Sequence, residues 1–167
     1  LFITAPENVA WLLNLRGRDD PHSPIPNCRL ILKNNSEIYL FVNKSKIQSL
    51  PLRKKLLKIN IIDEDKINIF LNNFESKRII IDRLSCSIAY ANLIKNKINI
   101  SNKNDPIYNM KSIKNEIEIK NIIKSHIFDG VAVIKFLYWI KNYKKKLSEL
   151  DAARKLNDLL NPNLRGF

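Results

Sequence analysis

Residues 7–26 read ENVAWLLNLRGRDDPHSPIP. Val9, Ala10, Trp11, Leu12 and Leu13 form an apolar patch at helical spacing. Pro6 suits a first helical turn, and Glu7 complements the positive end of the helix dipole. Gly17 then breaks the periodicity. Arg16, Arg18, Asp19, Asp20 and His22 crowd together, and Pro21, Pro24 and Pro26 forbid a continued helix and favour an extended surface chain. The expectation is a short packed helix that runs into a proline-stiffened charged loop, the kind of segment that carries binding residues.

Working outward, Leu1–Thr4 reads as a short strand before that helix. CRLILK at 28–33 and IYLFVN at 38–43 flank the turn-forming Asn34-Asn35-Ser36-Glu37, which predicts a β-hairpin. The basic stretch Lys44–Lys58 is expected to be helical around Gln48–Lys55, with Pro51 near the start. LKINII at 57–62 reads as a strand. Asp63–Phe74 reads as a helix capped by Asp63, with Ile67, Phe70, Leu71 and Phe74 inward. KRIIID at 77–82 is a buried central strand, Ser85–Lys95 a helix, and Ile98–Ser101 a further strand. Strands alternating with helices imply an α/β layer, and the hairpin makes its sheet mixed.

The character changes after Asn104. Met110–Lys145 has no strand signal and reads as one long helix, with Asp129-Gly130 as a weak point that could bend it. Ser148–Leu160 is a second helix, stopped by Asn161-Pro162. The expected division is 1–104 and 105–167.

Composition narrows the function classes. The chain has 167 residues, 29 basic against 16 acidic, and a net charge of +13. The lysines are scattered among the acids and no aromatic-interleaved basic patch is present, so a solvated surface is favoured over nucleic-acid binding. The run Lys144-Lys145-Lys146 complements the carboxyl end of a helix. No apolar run is long enough for a membrane span. Leu1–Thr4 has no basic leader or long apolar core, and the chain opens without Met on a strand, so neither a signal peptide nor a complete protein is expected. Cys28 and Cys86 lie far apart without a CxxC partner, which suits reduced, idle thiols and a cytoplasmic location. Two histidines, neither in an HxxxH arrangement, supply no metal site. The pairs Asp63/Asp65 and Glu116/Glu118 suit helix starts better than metal. His126 is expected in an apolar helix face with Ile119, Ile122, Ile123 and Val133. Gly130 on that face is expected to permit close packing, and Trp11 and Trp139 to anchor the core.

The run Ala10-Trp11-Leu12-Leu13-Asn14-Leu15-Arg16-Gly17-Arg18-Asp19, followed by Pro21-His22 and Pro24, resembles the non-catalytic segment of the Xaa-Pro aminopeptidases, in the creatinase/prolidase group. PIYNMKSIKNEIEIKNIIKSHIFDGVAVIKFLYW at 106–139 is similar to the segment that opens the metallopeptidase domain of that family. Ser148–Leu160 is similar to the helix that follows, and Arg165-Gly166-Phe167 falls near the next family segment. Between Asn27 and Asn104 only the order of elements agrees. Asp20 stands where many members carry an apolar residue.

The resemblance implies a creatinase-like α/β domain followed by a helical hairpin that begins the catalytic domain. It implies removal of the N-terminal residue from peptides with proline second. In the family two divalent metals, usually Mn2+, about 3.5–4 Å apart and bridged by a hydroxide, are held by two Asp, one His and two Glu, all beyond the segment at which this chain stops. The chain itself is then expected to hold no cofactor and no catalytic residue. It would serve as scaffold, homodimer contact and substrate gate, without nucleic-acid or membrane partners. Arg16, Asp19 and His22 are the residues expected near substrate. Two roles stay open for them: pairing with a peptide carboxylate, or an internal Arg–Asp clamp that organises the loop. A prolidase, a non-catalytic homologue of the same group, and a basic nucleic-acid-binding module are the alternatives.

Overall fold

The computed structural model describes residues 1–20, 22–48 and 59–160. The elements in order are β1 (Phe2–Ile3), α1 (Pro6–Leu13), β2 (Cys28–Leu32), β3 (Ile38–Val42), α2 (Lys44–Gln48), β4 (Ile59–Ile62), a 3-10 turn (Glu64–Lys66) and α3 (Ile67–Asn73). They continue with β5 (Arg78–Ile81), α4 (Ile88–Ile94), β6 (Asn99–Asn102), α5 (Pro106–Ser112), α6 (Glu116–Asn142) and α7 (Glu149–Leu160).

The six strands form one mixed sheet in the order β4-β3-β2-β1-β5-β6. The hairpin β2–β3 and the pair β1–β2 are antiparallel, whereas β3–β4, β1–β5 and β5–β6 are parallel. The expected hairpin is there, in the register Cys28↔Val42 to Leu32↔Ile38. Ser36 supplies the left-handed residue of its turn, with φ of 66°.

Strand alternation divides the core into two apolar layers. Ile3, Leu30, Leu40 and Val42 face one side and pack with Val9, Ile47 and Ile107 from α1, α2 and α5. Phe2, Ile31, Phe41, Ile79 and Ile81 face the other and pack with Ile67, Leu71 and Ile94 from α3 and α4. Each fully buried Leu, Ile or Phe contributes about 1.5–3 kcal/mol relative to an exposed one, so this doubly covered sheet is the stable centre of the chain.

A buried polar chain stitches the end of this layer to its start. The Asn8 amide donates to Asp105 Oδ2 at 2.7 Å and accepts from Lys111 Nζ at 2.6 Å. Asp105 caps α5 through the Ile107 N–H, and its own N–H donates to Asp82 Oδ2 at 2.8 Å. Asn8, Asp82 and Asp105 are all buried, so their mutual bonds are what makes that burial tolerable.

The chain forms two compact units, Leu1–Ile113 and Lys114–Phe167. The first takes in α5, past the expected boundary near Asn104. In the second, α6 and α7 form a helix pair in which Trp139 lies against Phe136 and Tyr143, with Lys155 over its ring.

Several expectations are corrected. The single helix over 110–145 is two helices. At Asn115 the side chain accepts from the Glu118 N–H and the Glu118 carboxylate accepts from the Asn115 N–H, a capping box that starts α6 afresh. The Glu116/Glu118 pair thus sits at a helix start, as expected, and α6 runs unbroken through Asp129-Gly130. Asp63 occupies the cap position of the 3-10 turn but makes no side-chain capping bond, and α3 begins only at Ile67. Trp11 is exposed, because it lies about 200° around the helix from the buried Val9. Trp139 is half-buried rather than a core anchor. His126 is exposed, and a Cβ at Gly130 would meet nothing within 4 Å. Of the helix expected around Gln48–Lys55, only the α2 end falls among the described residues. Pro51 and the Asn161-Pro162 stop lie outside them.

Candidate functional site

The charged loop leaves α1 through Asn14, which adopts a left-handed φ of 51° and whose N–H caps the helix end on Ala10 and Trp11 carbonyls. Leu15 follows and is buried, with its N–H on the Ala10 carbonyl at 2.8 Å. The loop therefore starts from a fixed point in the core. It then runs to Gly17, whose N–H donates to the Pro24 carbonyl at 2.9 Å. A Cβ at Gly17 would lie 2.5 Å from Pro26 Cα, so only glycine allows the two limbs of the loop to touch.

Asp19 is the organising side chain. Its Oδ2 accepts the Asn27 N–H at 2.7 Å, and its Oδ1 accepts from Lys46 Nζ of α2. The Lys46 ammonium, then the Asn27 N–H, hold the Asp19 carboxyl below its ordinary range. The same contact raises the Lys46 ammonium above its ordinary value. Asp20 turns its carboxylate back onto the His22 N–H at 2.7 Å, closing a tight turn. Asn27 continues the network: it accepts from Arg29 at 2.5 Å and donates to Glu64 at 3.3 Å.

Of the two roles left open for the loop, the internal Arg–Asp clamp is not formed among the described residues. Arg16 Nη1 donates to the Leu15 carbonyl at 2.8 Å, and Lys46 provides the cation for Asp19. Sequence reading missed Lys46 because it is 27 residues away in a stretch of scattered lysines, with no local signal linking it to the loop.

Under the loop lies an open cavity of about 1160 Å³. Arg16, Asp19 and His22 all line it, so the structure brings the three sequence-selected residues together, with Arg18, Lys46 and Ile47 beside them. Arg16 and His22 are solvent-exposed. The cavity can bind and orient. Among the described residues that line it no nucleophile is hydrogen-bonded to a base, and Cys28, packed with Leu15, Val42 and Ile47, is buried, its thiol pushed up to about 12 by that burial.

Among the described residues, no group of three or more His, Cys, Asp or Glu side chains converges in a way that could hold a metal ion. The set of two Asp, one His and two Glu that the resemblance implies for the intact family site is not assembled among the described residues. No helix among the described residues is long and apolar enough to cross a membrane.

Residues 1–118 match the family described as Creatinase/Prolidase N-terminal domain. The chain belongs to that family. Its relatives include Xaa-Pro aminopeptidase 1 of Dictyostelium discoideum, 34% identical over 143 residues that cover 84% of this chain and 22% of the relative. Another is Xaa-Pro aminopeptidase ApepP of Drosophila melanogaster, 31% identical over 155 residues, covering 90% of this chain and 25% of the relative. The chain thus spans about a quarter of the length of these curated relatives. The prolidase from Pyrococcus furiosus shares the fold, with a TM-score of 0.67 at 20% identity over 95% of this chain and 44% of that one. The creatinase-like mixed α/β sheet with flanking helices expected from the sequence is therefore the fold observed, and where a helical hairpin was expected a long helix follows, paired with α7.

Proposed function

We propose that this chain is the non-catalytic portion of a metal-dependent aminopeptidase that removes the N-terminal residue from peptides with proline second. Its part is scaffold, dimer contact and substrate gate. The observation that carries the reading is the family match over residues 1–118 together with Xaa-Pro aminopeptidases as relatives. The hydrolytic centre, with its Mn2+ or other divalent ions, belongs to sequence that these 167 residues do not include. Arg16, Asp19 and His22 form the face turned towards peptide, because they share one cavity on a pinned loop.

The test has two arms. The purified chain with Mn2+ and an Xaa-Pro peptide should show no turnover above background. Sequence downstream of Phe167 should carry Asp, Asp, His, Glu and Glu in that order. Turnover by the chain alone, or a downstream sequence lacking those ligands, overturns the reading.

A further inference from the structure

Strand β6 ends the sheet on one side, and its outer edge has no strand beside it among the described residues. The Asn99 N–H donates to the Lys77 carbonyl at 3.4 Å, and the Lys103 N–H to the Ile81 carbonyl at 3.0 Å. In a parallel ladder the N–H and C=O of one residue point the same way, and the next residue points the opposite way. Asn99 and Ser101 are therefore turned to β5, and the N–H and C=O of Ile100 and Asn102 point away from the sheet.

The side chains along this edge are basic. Residues 95–103 read KNKINISNK, three lysines and no acid. Lys95, Lys97 and Lys103 are exposed, and Arg78 of β5 reaches across to β6, donating from Nη2 to Ser101 Oγ at 2.9 Å. None of these four cations is ion-paired among the described residues. The opposite edge strand, β4, runs into Asp63, Glu64 and Asp65 instead. Lysines beside an open edge discourage strands from adding to it indiscriminately. A second copy of this chain is disfavoured in particular. Antiparallel pairing of β6 with itself would set the Lys97 end of one strand against the Lys103 end of the other, and like charges opposed across a pair destabilise it. An acidic strand meets the reverse situation: the cations attract it, and the outward N–H and C=O groups pair with its backbone.

We propose that the β6 edge is a docking site for an extended acidic segment of a partner protein, which adds to the sheet beside Ile100 and Asn102. The lysines that keep other strands off this edge select that segment.

The experiment titrates the 167-residue chain calorimetrically with a blocked heptapeptide of alternating Glu and Val. The controls are an alternating Lys/Val peptide, an alternating Glu/Pro peptide and a short oligothymidylate. The Glu/Val peptide should bind about tenfold or more tightly than each control, and more weakly as salt is added. Exchange of the Ile100 and Asn102 amide hydrogens should slow about tenfold on binding, because those N–H groups meet the added strand. Asn102→Pro removes an outward donor and no bond to β5, so it should weaken binding about tenfold. Lys95→Gln/Lys103→Gln should weaken binding and flatten its salt dependence, and Lys120→Gln on α6 should do neither. Circular dichroism checks that each variant is folded; if Asn102→Pro is not, amide exchange on the unaltered chain decides the matter alone. No binding of the Glu/Val peptide, equal binding of any control, or binding that leaves Ile100 and Asn102 exchange unchanged overturns the proposal. So does a dimer in sedimentation that Asn102→Pro dissolves, since a second copy would then be the occupant.

Discussion

The two units of this chain treat their apolar residues in opposite ways. In Leu1–Ile113, side chains such as Phe2, Leu30, Leu40 and Leu71 are 0–1% exposed, shut between a sheet and its helices. In α6, Ile117, Ile123, Ile127, Ile134 and Leu137 are each more than half exposed, and Ala132 is the buried residue of the helix. α7 buries none of its residues completely. Both units are rich in isoleucine and leucine, so composition does not separate them. The sheet has two faces to be covered and the same unit supplies helices for each. The helix pair has one seam, and its remaining apolar surface stays open. One unit is held by its core, the other by local helix signals.

That contrast can be broken. Leu40→Ala should cost about 2–5 kcal/mol in urea unfolding, since it empties a fully buried site between sheet and helices. A loss below about 1 kcal/mol would mean that the sheet is not the stable centre. Next in size, Asn8→Ala leaves Asp105 and Lys111 without their buried partner and should cost about 1–3 kcal/mol. Asn115→Ala removes the capping box of α6 and should cost about 1 kcal/mol, read as reduced helicity by circular dichroism. Ile127→Gln, at a site 61% exposed, should change stability by no more than about 0.5 kcal/mol while reducing binding of an apolar dye. If it destabilises like Leu40→Ala, the two units are not different in kind.

The smallest effect concerns pH. Asp19 has a folded-state pKa below its ordinary 3.8, so its contribution is present above that value and fades as pH falls through the lower folded one. Lys46 is raised above 10.5, so its share is complete below that value and fades as pH rises through the higher folded one. The loop latch should thus be constant across neutral pH. The Asn27 amide resonance should shift only in acid below the ordinary carboxylate range or in strong alkali. A shift near neutrality would show that Asp19 is not its acceptor.

Local chemistry accounts for what could be read without coordinates. The hairpin around Asn34–Glu37 was legible because turn residues sit between two β-branched and aromatic runs. The loop was legible because Gly17 and three prolines forbid helix beside a knot of charge. The break before α6 carried a signal too, Asn115-x-x-Glu118, but the surrounding isoleucine periodicity masked it. His126 and Trp11 went astray for a different reason. Periodicity says that a face is apolar, while burial also requires a second surface to meet it.

By itself the sequence determined the strands, most helices, the family and the loop on which Arg16, Asp19 and His22 lie, because each depends on neighbours along the chain or on a contiguous motif. Only the tertiary structure decided that Lys46, and not an arginine, grips Asp19, and that Asn8, Asp82 and Asp105 share one buried network. It also decided which apolar faces are closed. Those outcomes depend on pairings between residues far apart in sequence, and no local propensity records them.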